Sequence, residues 1–310
     1  MRDQRAFDAL TAAVDAERTR FATLGNRAPA ESPLLVLEEI WSSTLLAGSR
    51  LGLPEVTALV GRGVAGGDFP LEHYVIVADY AAAVRYVLAA PLPGRHRSFL
   101  RLDEIVTLHG LVAHREPEAL PAEWRQTTAI PFPSGAVPTP AWLVPRDMAA
   151  FAERTALGPQ GGQHPIAWVA DAHERFARIH PFTKANGRVD RLLANLLLRR
   201  SGLPPFAVRG RAAERYLAAL KSADSRDPWP LAVVFARAIL ESLTRLTASA
   251  EPSEELRPLA TFASGHERAA LYKASQRGRL RTVRRGGALL TSAGWIAEYE
   301  GSRLQRSSGP

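Results

Sequence analysis

Residues 179–191 read Ile179-His180-Pro181-Phe182-Thr183-Lys184-Ala185-Asn186-Gly187-Arg188-Val189-Asp190-Arg191. Before this run, Ile166, Val169, Ala170, His173, Phe176 and Ala177 fall on one helical face. Pro181 lacks an N–H and cannot continue the helix, so the helix ends there. After the run, Leu192, Leu193, Leu196 and Leu197 open a second buried face. The residues between are therefore a tight loop leading into a helix N-terminus. Such an end exposes unpaired amides and the positive end of the helix dipole, which favour a phosphate. Asn186 and Gly187 suit the left-handed or cramped backbone of an anion nest. Arg188 and Arg191, three apart, share a helix face and are expected to clamp two phosphate groups. His180 sits at the rim of the loop, where an imidazole can take a proton from an attacking hydroxyl.

Working outward, helical spacing recurs over residues 1–25, 34–47, 75–89, 102–114, 148–157, 166–179, 188–200, 212–223 and 230–248. An all-α core follows, and the 46% apolar content of the 310 residues suffices to bury it. One stretch breaks the pattern. Pro117, Pro121, Pro131, Pro133, Pro138, Pro140 and Pro145 crowd around Trp124 to Ile130, which excludes helix and predicts a short extended pair about a Ser134-Gly135 turn. Residues 251–258 read as a linker. Three parts are expected: an N-terminal helical region at 1–70, a core at 71–250 and a small basic module at 251–310.

The chain has no cysteine, which excludes disulfides and thiolate metal sites. Neither a signal peptide nor a membrane-spanning stretch is legible, so a cytoplasmic location is the expectation. His109 and His114 lack the carboxylate support of a metal pair, and no metal site is expected. The formal net charge is +8 and the isoelectric point is near 10.3. Residues 266–306 hold nine Arg or Lys against three Glu, so +6 of that charge is local, the pattern of a polyanion-binding module.

The run at 180–191 resembles the Fic family signature, His-Pro-Phe-x-Asp/Glu-Gly/Ala-Asn-Gly-Arg-x-x-Arg. Ala172-His173-x-x-Phe176 before it and Leu192-Leu193 after it also fit, and the resemblance extends over roughly residues 35–245. It implies a helical Fic fold that transfers AMP, or less often another phosphate-containing group, from a nucleotide such as ATP onto a protein hydroxyl. By that resemblance His180 is the base. Ala185, Asn186, Gly187 and Arg188 hold the α-phosphate, and Arg188 and Arg191 hold the outer ones. The 121–145 stretch is the hairpin flap, with Thr127, Thr128 and Ala129 lining up the target.

Two departures change the chemistry. The family's acidic Mg²⁺ ligand is Lys184 here, which cannot ligate a metal while charged but can offer a point cation to a phosphate. Residues 39–48 resemble the family's inhibitory helix, patterned Ser/Thr-x-x-x-Glu-Gly/Asn. Ser43 and Gly48 match, but the inhibitory glutamate, which pairs with the second motif arginine, is Ala47.

The basic tail is similar to excisionase-like winged helix-turn-helix modules. Residues 268–278 read as two short helices about a turn. Residues 280–290 read as a hairpin with a Gly286-Gly287 turn, and Thr291-Ser292 caps a final helix. That resemblance makes Arg277, Arg279, Arg281, Arg284 and Arg285 DNA contacts; a protein-interaction or dimerisation wing is the alternative. Three readings of the whole chain follow. The first is an AMP transferase acting on a protein or on itself. The second is a degenerate nucleotide-binding core that regulates a DNA-binding tail. The third is an enzyme with a different donor or a small-molecule acceptor.

Overall fold

The computed structural model describes residues 2–24, 32–92, 98–116, 119, 122–129, 136–209, 211–224, 227–250 and 255–307. In chain order its helices are α1 (Arg2–Thr23), α2 (Pro33–Leu46), α3 (Leu53–Arg62), α4 (Leu71–Ala89), α5 (Leu102–Val112), α6 (Val144–Ala156), α7 (Pro165–Ile179), α8 (Asn186–Arg200), α9 (Arg211–Asp224), α10 (Trp229–Ala250), α11 (Gly265–Gln276) and α12 (Ala293–Ser307). Three short strands, β1 (Arg257–Pro258), β2 (Val283–Arg285) and β3 (Ala288–Thr291), complete the described elements. The expected all-α architecture holds. Helix α3 was not expected, because Pro54 reads as a breaker; it stands instead at the start of the helix, where its missing N–H costs nothing. Among the described residues no helix is long and apolar enough to cross a membrane.

By packing, the chain forms two compact units, residues 33–234 and residues 1–32 with 235–310. The divisions expected at 70/71 and 250/251 each fall inside one of these. The reason lies in α1. Its buried Leu10 pairs with the C-terminal segment, where a Cβ on Gly278 would stand 2.9 Å from Ala13 and 3.6 Å from Leu10.

In the larger unit α8 is the axis. Val189, Leu192, Leu193, Leu196, Leu197 and Leu198 are buried, and so are Asn186, Arg188, Asp190, Arg191, Asn195 and Arg200. A helix this polar can be central only if each buried charge has a partner. Arg200 meets Glu104 of α5, Asp190 meets His173 of α7, and Asn195 bonds Glu39 of α2 and the main chain of Phe206. Polar pairing thus fixes the rotation of α8, and with it the loop at its N-terminus.

In the smaller unit β2 and β3 form an antiparallel hairpin in the register Val283↔Leu290, Arg284↔Leu289 and Arg285↔Ala288, with β1 on the other side of β3. The turn is Gly286-Gly287, both at positive φ, as a tight hairpin requires. Leu259, Leu271, Ala274, Leu280, Val283 and Trp295 make its core. The two short helices expected within 268–278 are one continuous helix, α11. No Gly or Pro interrupts Ala269 to Gln276, and a single 3-10 turn at Leu259–Thr261 precedes it.

Candidate active site

The loop between α7 and α8 is built on an anchored phenylalanine. Phe182 is fully buried, and the His109 ring of α5 stacks on it at 3.6 Å between centroids, 1° from parallel. Trp124 covers it at 5.0 Å. Asn186 clamps the same residue through the main chain: its Oδ1 accepts from the Phe182 N–H at 2.9 Å and its Nδ2 donates to the Phe182 carbonyl at 2.7 Å. The Asn186 side chain is therefore spent on shaping the loop. Burial holds the His109 imidazole down at about 4, and its Nδ1 accepts from the Ala122 N–H at 3.1 Å.

Left-handed backbone occurs in the loop at two non-glycine residues. His180 (φ 51°) and Ala185 (φ 65°) occupy it, whereas Asn186 already begins α8. A non-glycine in this region costs about 1 kcal/mol or more, a strain typical of functional loops. Ala185 precedes α8 as its N-cap and has no side chain able to cap it; its carbonyl accepts from the Arg188 and Val189 N–H groups at 3.0 Å each. Gly187 is required by a close approach, since a Cβ there would lie 3.2 Å from Arg191 Nη1.

His180 projects from the end of α7. Burial, then the nearby Arg125 guanidinium, lower its pKa to about 4, against a hydrogen bond to the Ala177 main chain that raises it. At neutral pH the imidazole is uncharged and able to accept a proton. Thr183 and Lys184 are exposed on the loop beside it.

The two arginines do not share a partner. Arg188 is buried and pairs with Glu116, just beyond α5, with a longer contact from Nη1 to the Val112 carbonyl at 3.4 Å. Arg191 turns to α2, where Nε donates to Ser43 Oγ at 2.6 Å and Nη2 to the Ser43 carbonyl at 2.9 Å. The expected clamp by two guanidiniums on one face is thus directed into the protein, because the half-buried Glu116 carboxylate and the Ser43 hydroxyl and carbonyl lie on opposite sides of α8. Behind Arg191 runs a buried chain of polar groups. Asp190 Oδ1 lies 2.8 Å from His173 Nδ1, His173 Nε2 is 2.8 Å from the Tyr216 hydroxyl, and Tyr216 hydrogen-bonds Arg191. His173 is structural, as its place on the buried face suggested.

Ala47 follows the last turn of α2 and brings no acceptor to Arg191; Ser43, one turn earlier, does. Gly48 is exposed at φ 94°. Glu39 was not singled out from sequence. It is buried at 3% exposure, accepts from the Tyr80 hydroxyl at 2.5 Å and from Asn195 at 3.2 Å, and burial pushes its carboxyl up to about 7.

Of the stretch expected to form a flap, the described residues 122–129 and 136–140 carry no helix or strand. The Ser134-Gly135 turn lies outside the described residues. Thr127, Thr128 and Ala129 follow Arg125, whose guanidinium reaches the Thr127 carbonyl at 2.8 Å. In the smaller unit Arg277, Arg279, Arg284 and Arg285 are exposed. Arg281 is turned inward: it pairs with Glu17 at 3.1 Å and lies over the Trp295 ring at 4.2 Å.

Residues 99–198 match the sequence model of the Fic/DOC family. The chain is 29% identical over 233 residues to the protein adenylyltransferase Fic of Nematostella vectensis and 26% identical over 233 residues to that of Culex quinquefasciatus. Each match covers 74% of this chain, against 51% and 45% of those proteins respectively. The chain thus spans about half the length of the curated relatives it matches. Among solved structures, residues 134–508 of Fic-1 from C. elegans superpose with a TM-score of 0.66 at 23% identity, covering 79% of this chain and 71% of that one. The fold is that of the Fic proteins.

Proposed function

We propose that this chain, whose residues 99–198 match the Fic/DOC family model, transfers AMP from ATP to a hydroxyl of an acceptor protein, with the chain itself as one acceptor. The observation that carries the reading is the place of His180, at the end of α7 on the rim of the loop that leads through Ala185 into the N-terminus of α8. The acceptor hydroxyl gives its proton to the imidazole as its oxygen attacks the α-phosphorus. The bond from that phosphorus to the bridging oxygen breaks, and pyrophosphate leaves with the electron pair. The first amides of α8 face the charge that develops on the α-phosphate oxygens.

The residues present do not fit a Mg²⁺ ion in the family's manner. Position 184 carries an ammonium, and the neighbouring carboxylates are engaged, Glu116 with Arg188 and Asp190 with His173. Among the described residues no group of three His, Cys, Asp or Glu is placed to hold a metal. Lys184 is exposed on the loop and supplies charge to the phosphates in place of a metal. In the resting chain Arg188 faces Glu116, and a bound phosphate competes for it. A cytoplasmic location accords with the absence of cysteine.

Intact-mass measurement after incubation with ATP tests the reading. An added AMP on a Ser, Thr or Tyr of the chain or of a co-incubated protein supports it. An added phosphoryl group, or no adduct with any acceptor, rejects it.

A second reading concerns the smaller unit, which we propose binds duplex DNA. Its support is the exposed set Arg277, Arg279, Arg284 and Arg285 around the hairpin, from which Arg281 is withdrawn. Phosphate contacts of this kind release counterions, so binding by the full chain should weaken steeply with salt. Affinity for duplex that is flat in salt, or unchanged in Arg284→Ala/Arg285→Ala, argues for a protein-binding or dimerisation wing instead.

A further inference from the structure

Arg125 is buried to 2% exposure, yet among the described residues no carboxylate pairs with it. Its acceptors are main-chain carbonyls. Nε donates to His180 O at 2.7 Å, Nη1 to Thr127 O at 2.8 Å, and Nη2 to Thr139 O and, at 3.3 Å, to Ile179 O. Its own N–H donates to Pro181 O at 2.9 Å. Ile179 and His180 end α7, where helix carbonyls lack intrahelical partners. Thr127 and Thr139 lie on the two described arms of the flap, and the Thr139 N–H adds a bond to Arg178 O at 3.2 Å. One planar fork therefore ties both arms to the residue that carries the base. It also holds His180 in its left-handed conformation from the carbonyl side.

We infer that Arg125 is a positioning residue for transfer, fixing the distance between the acceptor-presenting arms and the His180 imidazole through the His180, Thr127 and Thr139 carbonyls. The inference rests on the transfer reading above. Arg125 touches neither substrate nor the reacting atoms; it acts through the main chain of those that do. Two properties separate. The fork geometry aligns the arms, and a lysine cannot reproduce it, because a point cation with three rotatable donors cannot hold four carbonyls in one plane. The charge is a second, independent property. It sits behind His180 and disfavours the imidazolium, so a lysine keeps it and a methionine removes it.

The test uses the full chain as wild type, Arg125→Lys and Arg125→Met. The His180 imidazole is titrated by NMR with ¹³C-labelled histidine, its signal assigned by its loss in His180→Ala. Hydrogen exchange is followed in residues 122–129 and 136–140, and transfer is measured where it occurs. In Arg125→Met the His180 titration should rise from about 4, while burial, the larger cause, keeps it below the free value, with amide exchange in both arms faster. In Arg125→Lys the titration should stay low while exchange still rises. Both variants should lose kcat by tenfold or more with the KM for ATP within twofold. A role in stability alone would leave the titration in place and give no such split. The inference is overturned if Arg125→Lys keeps wild-type exchange and kcat, or if a folded Arg125→Met leaves the His180 titration unmoved. The titration and exchange do not require turnover. Their success alongside an inactive wild type would sink the transfer reading and leave the coupling of arms to His180 standing.

Discussion

Arg191 of α8 is held by Ser43 of α2, through Nε to the hydroxyl at 2.6 Å and Nη2 to the carbonyl at 2.9 Å. Ala47, one turn on from Ser43, carries no carboxylate to offer this arginine. Ser43→Ala leaves one donor of a buried guanidinium without its acceptor. An unmade bond to a charged buried group costs about 1–3 kcal/mol. Urea unfolding of the variant should show a lower midpoint with an unchanged m-value. An unaltered midpoint would mean that the hydroxyl contributes nothing to holding Arg191.

Glu39 sets a second expectation, in the pH dependence of stability. Burial raises its carboxyl to about 7, against 4.5 when exposed. Between those values the folded chain keeps a proton that the unfolded chain releases, so raising the pH through this window lowers stability. Glutamine at this position does not titrate. Relative to wild type, Glu39→Gln should therefore gain melting temperature as the pH rises from 4.5 to 7 and hold that gain above it. Every tenfold difference in proton affinity between the folded and unfolded carboxyl is worth about 1.4 kcal/mol. Melting curves of the two chains that stay parallel from pH 5 to 8 would contradict the buried-acid assignment.

Lys184 sets a third. If its ammonium takes the place of a metal, ATP affinity of the wild type should be nearly independent of Mg²⁺, and Lys184→Asp should bind ATP tightly only with Mg²⁺ present. Calorimetric titrations with Mg²⁺ and with EDTA decide this. A wild type that needs Mg²⁺ for binding would refute the substitution of charge for metal.

Apart from α3, and α11 read as two pieces, the helices were legible because apolar spacing, Pro181 and the Gly-rich breaks state them locally. The site loop was legible as a loop because Pro181 and the Leu192-Leu193 face bracket it. Its conformation was not. Residue types pointed to Asn186 and Gly187 for left-handed or cramped backbone; Gly187 is the cramped position, while the left-handed turns fall at His180 and Ala185, where contacts from distant elements outweigh local preference. The directions of Arg188 and Arg191 were hidden for the same reason: Glu116 and Ser43 are set beside them only by the packing of α5 and α2 on α8. Arg125 stood in plain view within the proline-rich stretch. Its role could not be read, since its partners are main-chain carbonyls and leave no trace in side-chain pattern. The hairpin of the smaller unit was legible from Gly286-Gly287, whereas the inward turn of Arg281 depends on Glu17, far away in sequence.

The central claim is that His180 accepts the proton as AMP moves to a hydroxyl. It is tested most directly by incubating the full chain, as wild type and as His180→Ala, with ATP labelled at the α- or the γ-phosphate, alone and with a mixture of soluble proteins. The account predicts protein-bound label from α-labelled ATP only, at least a hundredfold weaker in His180→Ala, with ATP binding retained in that variant. Label from the γ-position, or α-label undiminished in His180→Ala, would contradict it.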